Sequence, residues 1–245
     1  MKKYFFLYIL FIFSYSYSYL CAQQNFINVP SSEVTEKHKI FFQQQLNFNE
    51  LVQSNSTLDF GLGNGFEIGA NVLGLNFSDK NRSFIKNDTN DKDPYNPLVM
   101  LNGLKHFGIS ENISFSIGSQ CGLNFRDNKR TTSAALVYGN FLIKNMVVKN
   151  SNLVLGTYYN SLHYGGRFGN RFGAWVGAEV PVKPYFHIMA ESVFGTNALC
   201  YTSVGIILYP VRWMPLTLGM QIPNTKNNAY SIVFELTIIP ISKKI

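Results

Sequence analysis

Apolar and polar side chains alternate along most of the chain with a period of two residues. In the longest run, residues 113–125, apolar side chains occupy every second position except Ser119, and Ser, Gly, Gln and Asn fill the positions between them. Successive side chains of a β-strand point to opposite faces, so this run predicts a strand with one apolar and one polar face. At about 3.4 Å per residue it would extend for about 44 Å, long enough to cross a bilayer at a tilt.

The same alternation recurs along the chain and predicts about twelve strands. We place them at residues 38–48, 54–62, 65–77, 96–107, 112–125, 131–143, 151–161, 171–181, 184–194, 198–208, 213–222 and 228–239. The tight turns expected from Gly and Pro at 63–65, 108–111 and 181–184 then fall at one end of the sheet, with the longer loops 78–95 and 162–170 at the other. The connection at 144–150 is longer than this asymmetry favours. The predicted fold class is all-β, a closed antiparallel up-and-down transmembrane β-barrel of about twelve strands.

Three features favour a barrel in a membrane over a soluble β-sandwich. Large apolar residues occupy one face of nearly every strand, whereas Lys and Asp cluster in the loops. The short connections leave no helix to cover a sheet edge, and closure pairs every backbone group where lipid offers no partner. Aromatic residues at strand ends are candidates for interfacial girdles: Phe48, Phe77, Phe107, Phe125, Tyr164, Phe172, Tyr185, Tyr209 and Trp213.

The first residues predict export. Two lysines precede an apolar stretch at 4–13, and Leu20-Cys21-Ala22 is a plausible cleavage site, so residues 1–22 are interpreted as a secretory signal peptide. Lipidation of Cys21 is the weaker alternative, because the small residue expected before a lipidated cysteine is missing. Residues 23–37 are predicted to form a short periplasmic N-terminal segment and residues 38–245 the barrel domain. No apolar stretch long enough for a transmembrane helix follows Gln23.

Composition narrows the possible partners. Charged residues make up 14% of the chain and aromatic residues 15%, and the net charge of +7 falls to about +5 without Lys2 and Lys3. No basic run is present, so nucleic acid is not an expected partner. Cys121 and Cys200 fall on strands predicted to lie far apart, and no disulfide is expected.

Two segments carry a resemblance to the outer-membrane β-barrel proteins of Gram-negative bacteria, particularly porin-like and small-molecule transporter barrels. These are the glycine-rich hairpin at 58–69 and the closing strand at 230–238. The chain departs from many such barrels by ending at Lys243-Lys244-Ile245 rather than on an aromatic residue. The resemblance implies an outer-membrane location, outer-membrane lipid around the barrel, and a passive channel or transporter for small polar solutes.

The polar strand faces supply the candidate lumen-lining residues: Gln43, Gln45, Asp59, Glu67, Asn71, Gln120, Glu179, Glu191, Gln221 and Glu235. Inward carboxylates would favour cations if the lumen conducts. The competing interpretation is that they pair with Arg or Lys across the lumen and brace the wall.

Two other functions remain as alternatives. The first is a non-conducting structural or interaction barrel with a plugged lumen, whose outer loops or N-terminal segment bind a partner. The second is a lipid-modifying enzyme using Ser161 and His163, which would share one strand face; no orienting carboxylate is identifiable, so we do not predict an enzyme. The four histidines show no metal spacing, and no cofactor is expected. The sequence makes no prediction of oligomeric state.

Overall fold

The computed structural model describes residues 25–49, 51–78, 83–85, 97–124, 132–166, 168–226 and 228–239. The predicted signal peptide and most of the loop at 78–95 lie outside the described residues. None of the described helices is long and apolar enough to span a membrane. The strands are β1 (Ile40–Phe48), β2 (Val52–Gly63), β3 (Phe66–Ser78), β4 (Ser83–Ile85), β5 (Leu98–Gly108), β6 (Ile113–Asn124), β7 (Thr132–Lys144), β8 (Asn152–Asn160), β9 (Phe172–Lys183), β10 (Phe186–Phe194), β11 (Tyr201–Val211), β12 (Met214–Pro223) and β13 (Ser231–Ile238). One short helix, α1, covers Leu162–Gly165.

Twelve of the described strands close into an antiparallel barrel, which confirms the predicted fold class. Each pairs with its neighbours in sequence, β3 with β5 among them, and β1 pairs with both β2 and β13 to complete the circle. In the closing pair, Gln45 lies opposite Glu235. The remaining strand, β4, falls within the predicted loop 78–95 and pairs with the last residues of β3, beyond the part that pairs with β5.

The two ends of the barrel differ in their connections. We call the end where β1 begins and β13 ends the terminal end, and the opposite end the loop end. Two-residue turns close three hairpins at the terminal end. In one of them Asn64 and Gly65 have φ values of 53° and 73°, the left-handed conformations that a type I′ turn requires. The longer connections fall at the loop end, as expected, except for residues 145–151, which form an extended turn at the terminal end.

The outward positions carry large apolar side chains that are solvent-exposed in the isolated chain. Leu101 is 68% exposed and Ile232 63%, and similar residues recur around the wall. Two of the predicted girdle aromatics lie inside the barrel instead of on its outer surface. Tyr209 and Tyr164 are buried inside the barrel, where their hydroxyls donate hydrogen bonds to Glu179 and Gln120.

The inner face is polar over only part of the circumference, contrary to the prediction that it is mostly polar or glycine. On β7, Leu136, Tyr138 and Leu142 point inward and are buried, and they join an apolar cluster with Tyr158 of β8 and Trp175 of β9. The cluster excludes water because its rings pack on one another: the Tyr158 and Trp175 ring centroids are 4.9 Å apart and nearly parallel. One side of the lumen is therefore a packed core.

The N-terminal segment also lies where the sequence did not place it. Its described residues before β1 run inside the barrel, and Phe26, Ile27 and Val29 are buried in the apolar cluster. Burial of these three side chains supplies a hydrophobic driving force for docking that a segment projecting into the periplasm would lack. We call residues 25–36 the plug segment. Cys121, exposed on the outer face, and the buried Cys200 are free thiols.

Candidate functional site in the barrel lumen

The plug segment spans the lumen from one wall to the opposite wall. Near one end, the backbone N–H of Thr35 donates to Glu67 of β3 at 2.5 Å. Near the other end, Asn28 and Val29 bind Glu191 of β10. In the ring of twelve strands β10 is six places from β3, which is half of the circumference. The segment therefore crosses the lumen instead of following one side of it.

Glu191 is the strongest anchor of the plug segment. Its carboxylate accepts the Asn28 backbone N–H at 3.0 Å, the Asn28 side-chain N–H at 2.7 Å and the Val29 backbone N–H at 3.1 Å. The hydroxyl of Ser203 on β11 adds a bond of 2.9 Å. Hydrogen bonds to an ionised acceptor contribute about 1.5–3 kcal/mol each. Glu191 therefore faces the lumen, and the plug segment occupies its oxygens.

Further bonds fix the middle of the plug segment. Asn140 of β7 donates its side-chain N–H to the Pro30 carbonyl at 2.8 Å. His106 of β5 lies 2.9 Å from the Ser32 carbonyl through Nδ1. These contacts add β5 and β7 to the strands that hold the segment, so its path is fixed along its length and not only at its two ends.

Glycines on the inner wall make room for the plug segment. A Cβ on Gly177 would lie 2.8 Å from the Phe26 ring, and a Cβ on Gly219 would lie 2.7 Å from Ile27 Cδ1. A Cβ on Gly61 would overlap the backbone carbonyl of Glu36. The sequence predicts all three as strand glycines, and the structure shows the additional reason for them: larger side chains would displace the segment.

Glu33 forms the ion pair of the plug segment. Its carboxylate contacts the Lys144 ammonium at the end of β7 at 2.5 Å, and its side chain is 18% exposed. Burial raises the pKa of Glu33 above its ordinary value, against the opposing effect of the nearby Lys144 charge. The docked segment therefore holds a carboxylate in a less favourable environment than water provides.

A second carboxylate is enclosed near the terminal end of the lumen. Glu179 of β9 lies 2.5 Å from His187 Nδ1, accepts a hydrogen bond from Tyr209 at 3.3 Å, and is 3.4 Å from the Asn152 side-chain amide. Both Glu179 and His187 are almost fully buried. The group ties β8, β9, β10 and β11 together on the inside, which matches the bracing interpretation with His187 in place of Arg or Lys.

A cavity of about 420 Å³ lies inside the barrel beside the plug segment. Plug residues Asn28 and Pro30 line it, and its wall extends from Asn49 and Asn228 at the loop end to Glu67, near the terminal end. This volume is in the range of small-molecule binding sites. Its wall is unusually rich in carboxamides: Asn25, Asn28, Gln43, Gln45, Asn47, Asn49, Gln53, Asn55, Asn71, Asn102, Gln120, Gln221 and Asn228.

The ten residues predicted to line the lumen all lie on inward positions, but they do not form one site. Those that line the cavity are Gln43, Gln45, Asp59, Glu67, Asn71, Gln120 and Gln221. Glu179 and Glu191 are occupied as described, and Glu235 is fully buried in β13 away from the cavity. The lining therefore comes mainly from β1, β2, β3 and β5, together with the plug segment and the aromatic residues.

Sequence reasoning missed several residues that shape the site. Asn102 donates to both Asp59 and Asn71 at 2.8 Å, and inward alternation along β5 would have found it. Trp175 and Tyr138 line the cavity from the apolar side, where alternation is weak because both strand faces are apolar. Asn28 lies in an aperiodic segment, so no strand pattern could identify it.

The expectation that Ser161 and His163 share a strand face is wrong. β8 ends at Asn160, and His163 belongs to the helical turn α1, so the two side chains do not share a strand face. Ser161 Oγ instead accepts the Ala135 backbone N–H at 2.8 Å. Within the described ranges, no group of three or more His, Cys, Asp or Glu residues is placed to hold a metal ion.

The fold and its interior define a closed twelve-stranded antiparallel β-barrel that carries its own N-terminal segment in the lumen. A scan against protein-family models found no match, and a search of curated proteins found none either.

Proposed function

We propose that this protein is an outer-membrane β-barrel that transports small polar solutes and is closed at rest by its plug segment. The exposed apolar side chains around the wall support the membrane location. Leu101, Ile232 and Phe172 are more than 60% exposed, and a soluble protein rarely leaves such residues uncovered on every side. The predicted signal peptide at residues 1–22 provides the route of export.

The attachment of the plug segment to opposite walls is the main observation in support of a closed resting state. Bonds from Thr35 to Glu67 and from Asn28 to Glu191 must break, on at least one side, before a solute can cross. Solutes would enter the cavity from the loop end, where Asn49 and Asn228 line it. Passage is therefore gated, and steady porin-like conduction is not expected.

A non-conducting interaction barrel is the second candidate. The packed rings of Tyr138, Tyr158 and Trp175 favour it, because they narrow the lumen whether or not the plug segment is docked. In that case the cavity and loop end would serve only to bind a partner. Neither candidate involves catalysis, a cofactor or nucleic acid.

Planar-bilayer conductance tests the proposal directly. Asn28→Cys and Ser203→Cys would place two thiols where the side chains now lie 3.2 Å apart, in a chain whose native cysteines are replaced by Cys121→Ser and Cys200→Ser. The reduced protein should show brief openings, the oxidised protein none, and reductant should restore them. The matched control carries Cys121→Ser and Cys200→Ser alone.

A second variant lacking residues 25–36 separates the two candidates. Deletion should turn brief openings into sustained conductance if the segment is a gate. Absence of conductance in both the reduced double-cysteine protein and the deletion variant would favour the interaction barrel. Steady conductance through the oxidised double-cysteine protein would overturn the proposed gate.

A further inference from the structure

The charge of the cavity wall limits the solutes that it can accept. Three carboxylate side chains line it, those of Glu33, Asp59 and Glu67, and the described lining includes no Lys, Arg or His. An anionic solute would lose its hydration and gain no cationic partner, which is unfavourable. The cavity therefore selects for neutral or positively charged solutes.

Carboxamides form a connected hydrogen-bonding surface on one side. Gln45 donates to Asn47 at 2.8 Å, and Asn47 donates to Gln53 at 3.2 Å. Each carboxamide offers an N–H donor pair and a carbonyl acceptor, so a connected row presents alternating donors and acceptors. A solute with several hydroxyl groups, each both donor and acceptor, matches this surface better than an ammonium group, which only donates.

Gln43 supplies an unsatisfied group within this surface. Its Oε1 accepts a hydrogen bond from Asn25 of the plug segment at 3.1 Å, whereas its Nε2 is buried and has no protein partner among the described residues. A buried donor without a partner costs about 1–3 kcal/mol, and such groups are usually completed by water or a ligand. Gln43 is 6% exposed and lines the cavity, but Nε2 itself is covered, so the carboxamide has to rotate to present this donor to a solute.

Aromatic rings form the facing side. Trp175 and Tyr138 line the cavity with ring centroids 5.6 Å apart. The indole N–H of Trp175 already donates to Asn140 at 2.6 Å, so the polar group of the indole is occupied. Trp175 is 4% exposed and Tyr138 9%, so what remains for a solute on this side is a small apolar ring surface, suited to C–H groups. The cavity thus has one hydroxyl-binding side and one side that binds C–H.

We propose that the cavity binds an uncharged saccharide of one or two rings. The hydroxyl groups face the carboxamide row, with Gln43 Nε2 as one donor, and the C–H face of the ring lies toward Trp175 and Tyr138. This assignment rests on the proposed function, since it names the solute class of the same lumen. A bound saccharide also contacts Asn25 and Asn28, so it shares contacts with the plug segment.

Tryptophan fluorescence in detergent measures this binding without any need for conduction. The chain has two tryptophans, and Trp213→Phe leaves Trp175 as the reporter. Titration with glucose and with maltose should give a saturable change for at least one of them. Choline, as the cationic comparison at equal concentration and ionic strength, should bind more weakly than the better of the two saccharides, and succinate, as the anionic comparison, should give no change.

Two variants in the Trp213→Phe background locate the site. Gln43→Leu should weaken saccharide binding about tenfold. This is the loss expected when one hydrogen bond is removed and a saccharide hydroxyl is left without its protein partner. Gln44→Leu is the matched control, because Gln44 lies on the other face of β1 and bonds to Ser54 and Ser56 instead. The affinity of this variant for the saccharide should be unchanged.

The outcomes are distinct from those of the conductance test. Saturable binding of choline in preference to both saccharides would replace the proposal with a cation site at the carboxylates. Absence of any saturable saccharide response, or equal loss in both glutamine variants, would overturn it. Saccharide binding without conductance in any variant would instead count against the transporter and leave the binding site standing.

Discussion

The side-chain amide of Asn28 lies 2.7 Å from the Glu191 carboxylate, although 163 residues separate the two in sequence. This contact joins a segment without regular structure to the middle of β10. It also removes a carboxylate from the lumen surface, because the same oxygens accept the backbone N–H groups of Asn28 and Val29. The pair therefore links the docked position of the plug segment to a single side chain of the wall.

Glu191→Ala should release the plug segment from β10. The substitution leaves two backbone N–H groups, of Asn28 and Val29, without their acceptor, at a cost of about 1–3 kcal/mol each if they stay buried. Hydrogen–deuterium exchange of residues 25–36 should accelerate, whereas exchange of the strands should not change. Glu111→Ala, at an exposed turn, is the control. Unchanged exchange in residues 25–36 would contradict the anchoring role.

Gly177→Ala should displace the plug segment by steric conflict. The added Cβ would lie 2.8 Å from the Phe26 ring, closer than nonbonded carbons approach, and overpacking of this kind costs about 1–3 kcal/mol. We expect more frequent openings in bilayer recordings than for the parent protein. Gly139→Ala is the matched control, since its Cβ would lie 3.6 Å from Phe115, an ordinary contact. Equal opening frequencies for the two variants would argue against close packing of Phe26 on the wall.

The strands could be predicted because each separates two different environments. β6 shows this best: Ile113, Ile117 and Leu123 face outward, whereas Ser114, Ser116 and Asn124 are buried, and the predicted range 112–125 brackets the observed strand. Alternation does not reveal which face of a strand contacts water in the lumen. On β7 both faces are largely apolar, so the packed inner core around Tyr138 could not be distinguished from a second outer surface.

The plug segment escaped prediction for a different physical reason. Its contacts are long-range hydrogen bonds to wall carboxylates and short apolar insertions over glycines, and neither leaves a periodic trace in the sequence. The available signal was the apolar group Phe26, Ile27 and Val29 upstream of β1, in a stretch assigned to the periplasm. Apolar residues without periodicity indicate burial but not the surface that buries them.

Docking of the plug segment should strengthen as the pH falls, through Glu33. Burial raises the pKa of Glu33 when the plug segment is docked. At a pH between the ordinary pKa and the raised one, the docked state therefore binds more protons than the released state. Rising pH through this window therefore favours release. Lys144 of β7 opposes the shift, and Glu179 and His106 also act on Glu33. The protection factors of residues 25–36, which correct for the intrinsic pH dependence of amide exchange, should be larger at the acid end of the window, and Glu33→Gln should reduce this dependence. Smaller protection factors on acidification would reverse the assigned sign.

The membrane location can be tested with one outward side chain. Leu101 is 68% exposed on β5, and in lipid an arginine there would have to leave water, at about 2–4 kcal/mol near the bilayer midplane. Leu101→Arg should lower the free energy of unfolding in liposomes by an amount of that order. Tyr230→Arg, equally exposed beside the loop end of β13, should cost about 0–1 kcal/mol, because interfacial positions keep their hydration. The proposed location requires a clear difference in the free energy of unfolding between the two variants. If the apolar belt faced water instead, both substitutions would be tolerated equally. The mature protein would then also stay monomeric without detergent.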